Sequence, residues 1–351
     1  MSSIKSCNFG RIYGRLQTDG KYKICCGSVP SSGDYYTDGK FYDYWKSKKL
    51  NNLLNELKNN FEQTNTTWAE GNCDFCPHFV INEKLHNGEM ETPYSPITFN
   101  IDIINLCDHR CNFCWFWSHD MLEDKQQYKG WNEWAKQKLD LNVFKDTIDS
   151  LVELGDCKEI QIGGGGEPLL HPNIHEMINY VKEKNLSCKL ITNFCRIEKE
   201  QLDNLIRVGL DDILINISAG TPKLYTETRR VNKKVWDRLL SNITYIIKNR
   251  TTSSPKINLK NVINSKNIHE VSQMIDLGIG LEVDVVSLRF FQSDGVYNSD
   301  EKVVSAEQQN QFEMTLKEKI LQYQYKKYKA DTAFKYNYKS SNTKTHLLGD
   351  V

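Results

Sequence analysis

Three cysteines stand close together in the run Leu106-Cys-Asp-His-Arg-Cys-Asn-Phe-Cys-Trp115, at Cys107, Cys111 and Cys114. The spacing is C-x3-C-x2-C. Three thiolates leave a tetrahedral zinc site one donor short. They can hold three irons of a [4Fe–4S] cubane and leave the fourth iron open to a ligand that is not protein. An open iron gives a substrate or cofactor an inner-sphere position. The competing reading is zinc completed by His109 or by a distant residue.

A second group comprises Cys7, Cys25, Cys73 and Cys76. Four thiolates make a closed site, which suits either zinc or a fully ligated [4Fe–4S] cluster. Cys26 is adjacent to Cys25 and could replace it. The chain has eleven cysteines, eight of them before residue 115 and none after Cys195. With no secretory signal to imply an oxidising compartment, metal binding or catalysis explains them better than disulfides. A third feature is Gly163-Gly-Gly-Gly-Glu167-Pro-Leu-Leu-His-Pro172. Glycines let a backbone approach a ligand closely. No Lys-Ser/Thr follows the run, which argues against a phosphate loop.

These residues need elements to position them. Apolar, β-branched runs at 97–104, 159–162, 188–192, 212–217, 257–263 and 283–288 read as strands. Between them lie helical patterns, such as Phe144, Ile148, Leu151 and Val152, or Trp236, Leu239, Leu240, Ile243, Ile246 and Ile247. Strands alternating with helices predict parallel βα units. Six units predict an α/β fold, a partial (β/α)6 TIM-like barrel whose chemistry lies at the C-terminal ends of the strands. We expect a small, irregular cysteine-rich module over 1–90, the barrel over 91–300, and a C-terminal helix and tail over 301–351. The module has a helical stretch over 42–60, and its low apolar content calls for a metal staple. A polar helix is expected over 306–328, and the tail from 331 carries no pattern.

Lysine plus arginine and aspartate plus glutamate both total 45. This balance gives no support for nucleic-acid binding. No apolar run approaches the roughly 18 residues that cross a bilayer, so the expected location is the cytoplasm.

The cysteine spacing, with Phe113 just before the third cysteine, resembles the signature of the radical S-adenosylmethionine (SAM) superfamily. The glycine run resembles that superfamily's SAM-binding GGE motif, and the likeness extends over about 96–292. It implies that Gly165, Gly166 and Glu167 contact the methionyl amino group, and it adds Phe113 to the cofactor-binding set. Thr192-Asn193 sits where the family often has Thr-Asn-Gly, with Phe194 replacing the glycine. Ser218 matches a ribose-contacting position, and Arg229 or Arg230 would pair with the SAM carboxylate. The implied activity is reductive cleavage of SAM to methionine and a 5′-deoxyadenosyl radical, which abstracts hydrogen from a substrate C–H bond.

The C-x12-G-x4-C spacing from Cys7 through Gly20 to Cys25 resembles the SPASM and twitch auxiliary-cluster modules, though these usually follow the barrel. The segment 40–54, with Trp45 at its middle, is similar to their helical connector. One auxiliary [4Fe–4S] cluster then implies electron transfer and a net oxidation or bond formation. The resemblance implies peptide, sugar or aminocyclitol substrates and an electron donor such as flavodoxin or ferredoxin. Cys195, just past the third strand, would be the catalytic hydrogen-atom donor; packing is its other reading. Cys157 and Cys188 read as core, His171 as structural, His109 and Arg110 as tuning the loop, and Trp115 to Trp117 as its cover. The rival reading is a non-catalytic binding protein with a zinc-stapled module and a degenerate barrel.

Overall fold

The computed structural model describes residues 9–23, 40–59, 84–85, 87–114, 116–118, 130–251, 254–291, 302–327 and 335–339. Cys7, Cys25, Cys26, Cys73, Cys76 and Trp115 lie outside the described residues. In chain order the helices and strands are β1 (Tyr13–Leu16), β2 (Tyr22–Lys23), α1 (Phe41–Trp45), α2 (Lys48–Asn59), β3 (Thr98–Ile101), α3 (Trp131–Lys136), α4 (Leu141–Leu154), β4 (Glu159–Ile162), α5 (Ile174–Glu183) and β5 (Ser187–Thr192). Then follow α6 (Lys199–Arg207), β6 (Asp212–Asn216), α7 (Pro222–Arg229), α8 (Lys233–Asn249), β7 (Lys256–Ile263), α9 (Val271–Gly280), β8 (Val285–Phe290), α10 (Ala306–Lys327) and β9 (Lys335–Lys339). All six expected strands are present as β3 to β8, and each is followed by a helix. The chain divides into two compact units, one of Met1–Leu106 with Glu133–Leu190, the other of Cys107–Asn132 with Ile191–Val351.

In the first unit β3 pairs in parallel with β4, Thr98 opposite Glu159, and β4 with β5, Glu159 opposite Ser187. Alternation along these strands buries Phe99, Ile101, Ile160, Ile162, Cys188 and Leu190. α4 covers its part of the core because Phe144, Ile148 and Leu151 share one face. Asp140 caps its start by accepting from the Asn142 and Val143 amides, and Gly155 ends it in the left-handed region, at φ 93°. Val152, expected in the same stripe, is exposed. Eight residues turn about 80° past two full turns, which carries it off the buried face.

β1 is a strand that the hydrophobic pattern did not announce. It pairs in parallel with β3, Tyr13 opposite Thr98, and antiparallel with β2 through a turn at Gly20. Behind it Tyr22, Phe41, Trp45 and Phe99 form a buried aromatic cluster, with the Phe41 and Phe99 rings edge-on at 5.1 Å. The Trp45 indole donates to the Tyr94 carbonyl at 3.1 Å.

In the second unit β6, β7, β8 and β9 pair in parallel in chain order. Trp236, Leu239, Ile243 and Ile246 form the buried face of α8, while Leu240 and Ile247 are half-buried. β9 falls in the tail from which no element was expected. No helix among the described residues is long and apolar enough to cross a membrane.

Candidate metal centre and cofactor site

The cysteine loop lies in the second unit and is shaped by its own hydrogen bonds. The Cys114 sulfur accepts from the Phe116 and Trp117 amides at 3.4 and 3.3 Å. Arg110 donates to the Cys107 and His109 carbonyls and stacks 4.6 Å from the centre of the Trp117 ring. Asp108 is clamped from β5's exit, by Asn193 Nδ2 and Arg196 Nε, both at 2.9 Å. Two loop amides, Arg110 N and Asn112 N, reach the carbonyls of Arg229 and Thr228 at 3.1 and 2.9 Å. Those carbonyls end α7, where helix carbonyls have no partner within the helix. Arg230 turns left-handed there, at φ 53°, which terminates α7 and leaves these carbonyls to the loop.

Arg229 itself is buried. Its Nε donates to the Ile217 carbonyl at 3.2 Å, and its Nη1 lies 3.1 Å from the Cys111 sulfur. The guanidinium also faces the Tyr225 and Phe113 rings at 5.1 and 5.7 Å. Burial opposes its charge, yet Cys111, Tyr225, Cys195 and Cys107 together hold its pKa above the usual arginine value. Arg230 is exposed, so of the two arginines it is Arg229 that faces the cysteine loop. His109 is buried against Tyr225, and burial, reinforced by the Arg229 charge, pushes its pKa down to about 4.

The glycine loop lies in the first unit. Its glycines are needed for packing as well as for any ligand. A Cβ at Gly164 would meet the Asp102 carboxylate at 2.0 Å, and one at Gly166 the Leu106 carbonyl at 2.3 Å. Gly165 is less confined, with Asn105 Oδ1 at 3.1 Å. Asp102 is itself gripped by Arg15 from β1 and by Asn100. The Glu167 amide donates to the Leu106 carbonyl at 2.8 Å, pinning the loop to the residue before Cys107. The buried Glu167 carboxylate accepts from the Leu169 amide and so caps the short 3-10 turn Pro168–Leu170.

The remaining expected positions are buried and internally bonded. Phe194, where the family has glycine, is left-handed at φ 59°, a conformation natural to glycine and costly for other residues. Its burial and the Asn242 side chain on its carbonyl hold it there. Ser218 is also left-handed; its Oγ accepts from the Val262 amide and its carbonyl from Asn267. The Cys195 sulfur is buried, 3.3 Å from the Tyr225 hydroxyl and 3.2 Å from the Asn193 carbonyl. Cys157 and Cys188 are core, and His171 bonds Leu139 and Asn173. Asp108 and Tyr225 were missed from sequence; only their nearness in the chain to the motif residues could have marked them.

Four buried polar atoms of the cysteine loop and Arg229 have no hydrogen-bond partner among the described residues: His109 Nδ1 and Nε2, Asn112 Oδ1 and Arg229 Nη2. Unpaired buried groups of this kind call for a polar or charged occupant. No three His, Cys, Asp or Glu side chains among the described residues converge on a single-ion site. A cubane has a different need, since it places three thiolates on three separate irons. The loop thus fits an iron–sulfur group.

The comparisons agree with this geometry. The model of the radical SAM superfamily matches residues 101–277, just over half of the 351 residues. The chain belongs to the radical SAM superfamily. It is 21% identical over 187 residues to the tungsten-containing aldehyde ferredoxin oxidoreductase cofactor-modifying protein of Pyrococcus furiosus, covering 53% of this chain and 49% of that protein. It is 25% identical over 133 residues to a PqqA peptide cyclase of Gluconobacter oxydans, covering 38% and 33%. It therefore spans half or less of these curated relatives. Among solved structures, Streptococcus suis SuiB bound to precursor peptide SuiA superposes with a TM-score of 0.54 at 14% identity, over 93% of this chain and 71% of that one. Native anSMEcpe with bound AdoMet gives 0.52 at 12% identity, over 69% and 64%. These likenesses establish the fold, a partial α/β barrel of the radical SAM type. The family uses a [4Fe–4S] cluster and SAM.

Proposed function

We propose that this chain cleaves SAM reductively and modifies a peptide by abstracting hydrogen from one of its C–H bonds. The observation that carries the reading is the Cys107, Cys111 and Cys114 loop, intact and held against a buried cation at Arg229. The three thiolates would hold the [4Fe–4S] cluster. Gly165, Gly166, Glu167, Phe113, Asn193, Ser218 and the unpaired Nη2 of Arg229 are its candidate SAM contacts. When bound, the cluster supplies one electron to the SAM sulfonium, giving methionine and the 5′-deoxyadenosyl radical. This chain's residues then have to hold the cofactor, exclude water and orient the substrate. Trp117, buried under Arg110, serves as the cover of the cysteine loop.

A peptide is favoured over a sugar or aminocyclitol by two relatives, a PqqA peptide cyclase and SuiB bound to a precursor peptide. Cys7, Cys25, Cys73 and Cys76 would hold a closed auxiliary [4Fe–4S] cluster that takes an electron from the substrate radical. Flavodoxin or ferredoxin is the proposed donor to the first cluster. Cys195 would serve the alternative fate of the substrate radical, in which its S–H hydrogen quenches that radical in place of oxidation by the auxiliary cluster. The thiyl radical then recovers an electron and a proton from the donor system and solvent.

The test is anaerobic reconstitution followed by dithionite and SAM. The expected result is 5′-deoxyadenosine from the native chain and none from Cys111→Ala. Zinc in place of iron, or no 5′-deoxyadenosine from an iron-loaded protein, would overturn the proposal.

A further inference from the structure

We infer that Arg229 is the counter-cation of the Cys107, Cys111 and Cys114 thiolates and sets how readily the cluster they hold is reduced. This deepens the reading above and rests on it. The argument begins with burial. Taking a guanidinium out of water costs several kcal/mol unless an anion accompanies it. Among the described residues, no carboxylate pairs with Arg229. Its polar contacts are a neutral carbonyl, Ile217 O, and the Cys111 sulfur at 3.1 Å. The two aromatic faces beside it, Tyr225 and Phe113, attract a cation but carry no charge. Among this chain's own groups, the anion beside this buried cation is the thiolate group of the loop, met by Nη1, while Nη2 stays available to SAM.

The cation is also fixed in place. The loop amides of Arg110 and Asn112 are bonded to the Arg229 and Thr228 carbonyls, so backbone and side chain of one residue grip the same loop. A cluster gains negative charge on reduction. A fixed positive charge and an N–H donor on a ligand sulfur stabilise the reduced state more than the oxidised one and raise the potential. The Phe116 and Trp117 amides on Cys114 act in the same sense, but only as dipoles. Among these contacts Arg229 brings the full charge, as a positioning residue that acts through Cys111.

The test compares the native chain with Arg229→Lys, Arg229→Gln and Arg229→Met after anaerobic reconstitution, by EPR-monitored redox titration without SAM. In the native chain, the signal that changes on later SAM addition identifies the open-iron cluster, and the variants are read at that same signal. At one fixed poise, the reduced-to-oxidised ratio should fall about tenfold in the Gln and Met variants, which is about 59 mV for a one-electron couple. Arg229→Lys, which keeps the charge, should stay near the native ratio. In native protein labelled with 15N-arginine, pulsed EPR of the reduced cluster should show an arginine nitrogen coupling that Arg229→Lys lacks. An unchanged ratio in iron-loaded Arg229→Met, or no arginine coupling in the native protein, would overturn the inference. If Arg229→Met fails to load iron, the near-isosteric Arg229→Gln variant decides on the same ratio, and an unchanged ratio there overturns the inference. A native chain that takes up no iron at this loop overturns the underlying reading instead.

Discussion

At Gly166 a single methyl group is too much. A Cβ there would press on the carbonyls of Leu106 and Asn105, which are backbone and cannot swing aside. We expect Gly166→Ala to cost about 1–3 kcal/mol of stability, lower SAM affinity at least tenfold in equilibrium dialysis, and leave the iron content unchanged. Equal SAM affinity would separate the glycine loop from cofactor binding. The sequence showed this loop and the three cysteines clearly, because spacing is a local property. It did not show that Glu167 caps a turn, or that Arg229 is buried while Arg230 is exposed. Adjacent residues on a helix end differ by about 100° in direction, and a one-dimensional motif does not record which way the core lies. Phe194 is the instructive departure. The sequence shows a phenylalanine where the family often has glycine, and the backbone keeps the glycine conformation with that phenylalanine in it.

At the scale of elements, the turn between β6 and α7 matters most because α7 carries Tyr225 and Arg229. One buried carboxylate holds it. Glu270 accepts from the Gly220 amide at 2.9 Å, the Thr221 amide at 3.0 Å and the Thr221 hydroxyl at 2.5 Å. Removing that acceptor strands two amides at the helix entry, each worth about 1–3 kcal/mol when unpaired. We expect Glu270→Ala to lower stability by roughly 3 kcal/mol, read as a lower urea midpoint with an unchanged slope. A loss under about 0.5 kcal/mol would mean that Thr221 and Pro222 hold the turn without it. The six strands of the βα repeat were legible because apolar, often β-branched residues recur at every second position along them, one side of each strand being buried. β1 and β9 were not. Tyr-Gly-Arg-Leu and Lys-Tyr-Asn-Tyr-Lys are short and polar, and they become strands through the ladders that β3 and β8 offer them.

At the scale of the whole molecule, the proposal assigns two clusters to one chain. The N-terminal cysteines lie outside the described residues, so their site rests on spacing alone. The proposal predicts about eight irons per chain in the native protein and about four in a Cys73→Ser/Cys76→Ser variant. That variant should still yield 5′-deoxyadenosine while losing the modified peptide. About four irons plus one zinc in the native protein would make the N-terminal site a structural staple.

The seam between the cysteine loop and the end of α7 has a bearing on maturation. The Arg110 and Asn112 amides are satisfied by helix carbonyls, bonds between protein groups alone. We expect a loop held in this way to keep its shape when oxygen strips iron from it. In the emptied protein these two amides should exchange slowly with deuterated solvent. Repair would then be a matter of refilling a standing socket, not of folding the chain again around each new cluster.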